Sequence, residues 1–301
     1  MAPLHGWLIL DKPVGLGSTQ GVSAVKRMLR NLGLPKAKVG HGGTLDPLAS
    51  GVLPIAIGEA TKLTGRMLDA DKAYDFTIRF GVETSTLDAE GSVIAESPVR
   101  PTRAQVEAVL PRFTGPIEQV PPIFSALKVE GRRAYDLARA GETVTLATRA
   151  VTIHRLAILS GGPDGTGAPD EVTLSAHVSK GTYIRSLARD IAQALGTVGH
   201  VTMLRRTKAG PFGLAQAVSM DNLNGCATGA ALQALLLPLL AGLDDIPALA
   251  LTPDQAQALR QGRRLDGAAA ASGLHLALLG DMPVALVDEG RVVRGFNLMS
   301  E

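Results

Sequence analysis

Gly40-His41-Gly42-Gly43-Thr44-Leu45-Asp46-Pro47-Leu48-Ala49-Ser50-Gly51 runs straight into the apolar stretch Val52-Leu53-Pro54-Ile55-Ala56-Ile57. The second half reads as a buried strand and the first as the turn that feeds it. Pro47 disfavours the helical region for Asp46, so this acid sits on extended or turning backbone presented by a sheet. The surrounding glycines let the chain approach a ligand closely. One carboxylate and one imidazole, Asp46 and His41, are therefore packed between flexible points. Two readings fit: a reactive carboxylate held against a ligand, or a tight turn whose Asp caps a helix.

Working outward, Trp7-Leu8-Ile9-Leu10 reads as a strand, since Asp11 and Lys12 follow at once where a signal peptide would need a longer apolar run. Ser18 to Asn31 reads as a helix with Ser18 or Thr19 near its cap, Val22, Val25 and Leu29 on its apolar face, and Gly33 with Pro35 ending it. On the other side, Tyr74, Phe76, Ile78 and Phe80 alternate as in a strand with one apolar face. Thr102 with Gln105 forms a capping box ahead of a helix to Leu110. Val151 to Leu159 and Val172 to Val178 read as paired strands across a Gly/Pro/Asp-rich loop, and Thr182 to Leu195 as a helix stopped by Gly196.

These elements alternate without regular βαβ spacing, which predicts an α+β fold: a mixed, largely antiparallel central sheet with flanking helices over residues 1–245. Residues 248–301 read as a separate small α+β unit. Thr252 and Gln255 open a short helix there, and Asp288-Glu289-Gly290 turns between two of three apolar stretches. A unit of about fifty residues usually leans on its neighbour.

Composition narrows the function. Apolar residues make up 46% of the 301-residue chain and charged residues 19%, as in a folded globular protein. The longest apolar run, Ala230 to Leu243, is interrupted by Gln233 and Pro238 and is too short to span a bilayer. The single Cys226 excludes an internal disulfide and a cysteine-based zinc cluster, and a cytoplasmic location is expected. From residue 210 on there are five Lys/Arg against nine Asp/Glu; before it, 25 against 19. Lys12 to Lys38 and Lys180 to Lys208 each hold six basic residues, the first with no acid and the second with Asp190 alone. Such stretches fit a local polyanion footprint, and they equally fit solvated helix faces.

Gly15-Leu16-Gly17 follows a strand and precedes a helix, but the next glycine, Gly21, is one residue late for a dinucleotide loop, and Lys36 and Lys38 stand where an acid should be. No phosphate-loop Gly-Lys-Ser/Thr occurs, and no pair among the six histidines has metal-ligand spacing, so neither a metal nor a cofactor is expected. Lys180-Gly181-Thr182-Tyr183-Ile184-Arg185 lies where a strand ends and a helix opens, a place suited to anions or, more plainly, to a helix cap with a core tyrosine.

Together and in this order, the segments resemble the tRNA pseudouridine synthase B family from Gly6 to about Leu223. The resemblance is carried by Leu10-Asp11-Lys12-Pro13-x-Gly15, Gly40 to Gly51, Gly58-Glu59-Ala60-Thr61-Lys62 and Asp71-Lys72-x-Tyr74, then by Phe124 to Lys128, Lys180 to Arg185 and Leu204-Arg205-Arg206. It implies a pseudouridine synthase fold with a small PUA-like C-terminal domain. It also implies isomerisation of uridine 55 in the TΨC loop of tRNA, a flipped-out base, no cofactor, and the T-arm stem-loop as partner with no obligate protein partner. By the same resemblance Asp46 is the essential carboxylate. His41 helps hold the loop and its extruded base, Tyr74 stacks on the target, and Tyr183, Arg185 and Leu204 line the pocket. Lys12 buttresses the site. Between Gly81 and Gly91 the agreement is looser: Asp88 matches an acidic position, whereas Ser85 and Leu87 replace polar or acidic residues. The stretch Thr102 to Glu142 corresponds to a flap that grips the tRNA arm. It reads as helix-rich, with Lys128, Arg132, Arg133 and Arg139 against Glu130 and Asp136.

The chemistry agrees with these residue types. Isomerisation breaks the bond from ribose to N1, turns the uracil and rebuilds the bond from C5, which calls for an ionised carboxylate as nucleophile or base. A neighbouring guanidinium favours that charged form. A non-catalytic RNA-binding protein would show the same basic faces without needing Asp46, and a methyltransferase would need a cofactor loop that is absent. A related synthase with another uridine target is the closest alternative.

Overall fold

The apolar run at the N-terminus forms the heart of β1 (Gly6–Lys12), which leads into α1 (Ser18–Asn31), β2 (Val39–His41) and β3 (Ser50–Ile57). The computed structural model describes residues 4–125, 127–129, 131–140, 142, 145–161, 170–267 and 272–298. After α2 (Thr64–Asp69) the alternating segment forms β4 (Lys72–Phe80), followed by a small hairpin of β5 (Val82–Thr84) and β6 (Val93–Glu96). Then come α3 (Arg103–Val109), β7 (Gly115–Gln119), the short β8 (Lys128–Val129) and β9 (Arg132–Arg133), and α4 (Ala134–Arg139). The long strands β10 (Arg149–Ser160) and β11 (Glu171–Val178) precede α5 (Ile184–Ala194), β12 (Gly199–Ala209) and β13 (Phe212–Gly213). Two short helices, α6 (Met220–Asn224) and α7 (Gly229–Ala234), lead to β14 (Ala248–Ala250), α8 (Pro253–Arg260), β15 (Leu274–Leu279), β16 (Met282–Asp288) and β17 (Arg291–Gly295).

The main sheet has the order β1-β3-β12-β4-β11-β10-β7, with β2 added on β3 and β13 on β12. Every pairing in it is antiparallel except β3 with β12, where Ser50 and Gly51 face Arg205 and Arg206. The structure is thus the mixed, largely antiparallel α+β architecture that the patterning predicts. At that parallel junction Gly51 has φ +99°, and a Cβ there would stand 2.2 Å from the Arg206 carbonyl oxygen, so only glycine lets β3 and β12 meet. The junction matters because it brings the Asp46 turn, which enters β3, beside the strand that carries Leu204.

Apolar periodicity accounts for the packing. Phe76, Ile78 and Phe80 of β4 pack with Ile184, Leu187 and Ile191 of α5, while Val25 and Leu29 of α1 pack with Leu8, Leu10 and Leu53. The small sheet β14-β15-β16-β17 is not independent: its Leu276 and Leu286, with Phe296, share a core with Trp7, Ile9, Val52 and Phe212.

Three local expectations need correction. The N-cap of α1 is Gly17, whose N–H is met by the Gln20 side chain at 2.7 Å; Ser18 is the first helical residue and its hydroxyl serves the Asp46 turn instead. α5 starts at Ile184 and not Thr182, because Tyr183 stays extended, its backbone bracketed by the Gln119 side amide. The 102–142 stretch is not simply helix-rich: β7 pairs with β10 as the edge strand of the main sheet, where Pro116 is tolerated. Of its charged residues, Arg132 bonds Glu142 at 2.9 Å, and the side chains of Lys128, Glu130, Arg133 and Arg139 lie outside the described residues. So does the Gly/Pro/Asp-rich loop at 162–169.

Candidate active site

Asp46 stands at the edge of a cavity of about 620 Å³ walled by Tyr74, Tyr183, Arg185 and Leu204, with Lys72 and Thr86 also lining it. Sheet register explains the assembly. Tyr74 sits between Ala176 of β11 and Arg206 of β12, and Leu204 faces Phe76. Tyr183 and Arg185 enter from the N-terminal end of α5.

Arg185 is the hub. Its Nη2 lies 2.9 Å from an Asp46 oxygen and its Nη1 3.3 Å from an Asp88 oxygen. It also donates to the Thr86 carbonyl at 2.9 Å and the Phe124 carbonyl at 3.1 Å. A guanidinium buried to 7% exposure needs such saturation, because an unpaired buried charge is costly. The two carboxylates differ: the Asp46 side chain is 43% exposed, that of Asp88 only 11%. Both line the cavity, but Asp46 presents far more of its carboxylate to whatever enters it than Asp88 does.

The Asp46 turn is clamped from three directions. Ser18 Oγ donates to the Leu45 carbonyl at 2.9 Å and accepts the Leu45 N–H at 2.8 Å. Arg206, 1% exposed, donates to the carbonyls of Gly43, Thr44 and Val52. Lys12 is fully buried, and its ammonium donates to the carbonyls of Pro13, Leu16 and Pro47 at 3.0, 2.6 and 3.2 Å. Burial lowers the pKa of Lys12 to about 8; the Asp46 charge works against that shift and the Arg206 charge with it. Lys12 thus does not line the cavity; its bonds go to backbone carbonyls on either side of the Asp46 turn. Lys72 is a second buried lysine, also lowered to about 8 chiefly by burial, and it ties down the carbonyls of Leu68 and Ala70 just ahead of Tyr74. Burial also pushes the Tyr183 phenol up, which favours the neutral hydroxyl.

His41 is placed differently from the other named residues. It sits on β2 and borders a neighbouring cavity, not the one with Asp46. Burial, helped by Arg206, lowers its pKa and favours the neutral ring, whose Nδ1 is enclosed without a partner among the described residues.

Residue-by-residue reading did not single out Arg206, Lys72 or Gln119 as site residues, and it left Asp88 as a bare match. Arg206 and Lys72 carry a signal in hindsight: each is a basic residue in a strand position that must point inward. Gln119 has none, since a lone glutamine near prolines looks like any loop.

Comparison with known proteins completes the picture. The pattern of the TruB family pseudouridylate synthase N-terminal domain matches residues 27–184, and that of the tRNA pseudouridylate synthase B C-terminal domain matches residues 185–244. The chain is 65% identical over 299 residues to the tRNA pseudouridine synthase B of Novosphingobium aromaticivorans, covering 98% of each. It is 60% identical to that of Zymomonas mobilis subsp. mobilis, covering 98% of this chain and 96% of the relative. Among solved structures it resembles one from a Cbf5-Nop10-Gar1 complex, with TM-score 0.69 and 26% identity over 94% of this chain and 78% of the other. The chain belongs to the TruB family of tRNA pseudouridine synthases.

Proposed function

We propose that this enzyme converts uridine 55 in the TΨC loop of tRNA into pseudouridine, with Asp46 as the carboxylate that acts on the reacting nucleotide. The observation that carries the reading is a half-exposed carboxylate fixed by a buried guanidinium at the edge of a cavity large enough for a base. A uridine inside a folded RNA cannot reach such a recess, so it must leave its stack. The Tyr74 ring, with Leu204 on the neighbouring strand, compensates by packing on the extruded base, worth about 1–3 kcal/mol. With the base in place, Asp46 attacks or deprotonates, the N1–C1′ bond breaks, the uracil turns, and a C5–C1′ bond forms. The C5 proton leaves and N1 gains one, so no electrons are exchanged and no cofactor is called for.

Residues 1–245 make up the catalytic domain in this reading, with 102–142 as a flap on the RNA arm. Residues 248–301 form a PUA-like unit that adds affinity. The positive excess lies before residue 210, which supports the first part as the main phosphate-gripping surface. The T-arm stem-loop alone then carries the recognised features, since RNA readers of this kind target loops whose bases splay out. The enzyme acts in the cytoplasm, where its substrate is.

The test is single-turnover kinetics on a T-arm hairpin and on full tRNA, with pseudouridine mapped by position, for the full chain and for a chain ending at residue 247. The expected result is product at position 55 alone, at similar rates on both RNAs, with truncation weakening affinity more than rate. Product at another uridine would overturn the target assignment; an inert hairpin beside reactive tRNA would show recognition beyond the T-arm.

A further inference from the structure

Gln119 ends β7, is 1% exposed and does not line the Asp46 cavity. Its side amide nevertheless makes two bonds to a residue that does. Oε1 accepts the Tyr183 N–H at 2.8 Å, and Nε2 donates to the Tyr183 carbonyl at 3.1 Å. An amide that brackets one residue's backbone supplies what a neighbouring strand would, and Tyr183 is extended, at φ −101° and ψ 110°. Local sequence pulls the other way. Thr182 to Leu195 reads as one helix, and the Tyr183 carbonyl already accepts the Leu187 N–H as a helical residue's would. Without the amide, Tyr183 is free to join α5, and its ring would then turn from the direction it takes now.

The stretch that carries Gln119 is stiff. Val120 precedes a proline, which restricts it to extended backbone, and Pro121 and Pro122 are buried with φ fixed by their rings. Three more ties run from this stretch to the same end of α5. The Val120 carbonyl accepts from Ser186 Oγ at 2.8 Å and from Arg189 Nη2 at 3.1 Å, and the Phe124 carbonyl accepts from Arg185 Nη2 at 3.1 Å. Those three end on backbone oxygens, so they depend on the fold and not on the residue. The two bonds to Tyr183 take a donor and an acceptor side by side, which an amide provides and an apolar side chain does not.

We propose that Gln119 is a positioning residue of the isomerisation, holding the Tyr183 ring in the wall of the Asp46 cavity from behind. The proposal rests on the reading of that cavity as the place where the base is bound. Arg185 is held by Asp46, Asp88 and the carbonyls of Thr86 and Phe124, and stays aimed without Gln119. The effect therefore runs through the ring and not through the guanidinium. Loss of the amide leaves the RNA gripped and Asp46 in place, while the base meets a displaced wall.

The experiment measures single-turnover pseudouridine formation in full tRNA at saturating enzyme, with equilibrium affinity alongside. Four full-length proteins are compared: the parent, Gln119→Leu, Tyr183→Ala and the double variant. Gln119→Leu should slow the step about 10- to 100-fold, the cost of a group displaced by about an ångström, with affinity within about threefold of the parent. In the Tyr183→Ala background the same change should slow it less than about twofold, since the ring it acts through is gone. An unchanged rate, a loss confined to affinity, or an equal loss in both backgrounds would overturn the proposal; the last is what a merely structural glutamine gives. If Gln119→Leu does not fold, Gln119→Glu decides. It keeps the size and the acceptor, but when ionised it has no donor for the Tyr183 carbonyl. Burial favours its neutral form; Arg149, its register partner on β10, opposes that, and Arg185 and Arg189 are already paired with Asp46, Asp88 and Asp190. Its rate relative to the parent should rise about tenfold from pH 8 to pH 6, as the carboxyl regains its proton. A flat ratio would overturn the proposal as well. Rates are ratios at whichever uridine is modified, so a wrong target assignment, which product mapping reveals, leaves this test standing.

Discussion

Asp46 and Asp88 meet the same guanidinium, yet the two loops that carry them are built from different materials. The 40–51 loop is pinned by side chains from outside it: Lys12, Ser18 and Arg206 all bond its carbonyls, and Ser18 also takes an N–H. The 81–91 loop adds to its outside ties a set of bonds within itself. Leu87 donates its N–H to the Thr84 carbonyl, Glu90 donates to the Asp88 carboxylate, and the hydroxyls of Thr84 and Thr86 bond Asp88. From outside, Arg185 meets its Thr86 carbonyl and Asp88 carboxylate, His200 Nδ1 lies 2.7 Å from its Val82 carbonyl, and the Val201 N–H donates to the Leu87 carbonyl at 3.0 Å, with Leu87 buried and at φ +62°. A carboxylate that must meet a substrate needs a frame that does not yield when charge moves. Asp88 lines the same cavity but, with a side chain 11% exposed, its main contact is the buried arginine it balances.

The largest effect that follows is on Asp46 itself. Asp46→Asn keeps the shape of the turn and should lower the isomerisation rate at least a thousandfold, about 4 kcal/mol, while changing RNA affinity by no more than a few-fold. Single-turnover rates and equilibrium binding check this together. A variant that turns over at a comparable rate would remove Asp46 from the chemistry.

Asp88→Asn should come next, at roughly ten- to a hundredfold in rate, or about 1.4–2.7 kcal/mol. Arg185 keeps Asp46 and both carbonyls in this variant but loses a counter-charge on its buried side. Equal losses in the two variants would abolish the distinction drawn between them and make Asp88 a direct participant.

The same contrast explains what was legible in the residues alone. The 40–51 loop announces itself because glycines, a proline and an acid are all side-chain signals, and its partners Lys12 and Ser18 stand beside recognisable elements. What Arg185 takes from the 81–91 loop is one acid and one carbonyl, that of Thr86, and any residue supplies a carbonyl. Ser85 and Leu87 can therefore depart from the family pattern without disturbing the contact. β4 was readable from strict alternation, and β10 and β11 from apolar stretches on either side of a Gly/Pro/Asp-rich loop, whereas β7 was hidden by its glycine and proline and is defined by pairing with β10. The cap of α5 was displaced for a related reason: a distant glutamine, Gln119, holds Tyr183 extended, and no local signal reports it.

Ser18→Ala tests the side-chain frame at one point. It strips both hydrogen bonds from the buried Leu45 backbone and should cost about 1.5 kcal/mol of stability. Chemical denaturation measures it, and a loss below a few tenths would mean that Arg206 and Lys12 suffice.

The smallest effect, and the most specific to this frame, is the pH response of Lys12. Its folded pKa, about 8, lies below the ordinary lysine value of 10.5, so the folded state gives up this proton more readily than the unfolded chain. Below pH 8 the side chain is charged in both states, and the full penalty for burying that charge is present. As pH rises from 8 towards 10.5, the unfolded chain binds more protons than the folded one at this site, and stability must rise with pH. Between pH 7 and pH 9 the gain is about 1 kcal/mol. Other groups titrate in that range, so the quantity to measure is the stability gap between the parent and Lys12→Met at each pH, in which their contributions cancel. The gap should move by that amount in favour of the parent. Opposing this, the neutral amine has two donors where the ammonium has three, and three carbonyls share them. The parent should therefore gain stability while its Asp46 turn loosens, and the isomerisation rate should fall over the same interval. A gap that stays flat, or that moves the other way, would show that Lys12 keeps its proton through the range and that the turn is held more tightly than this balance allows.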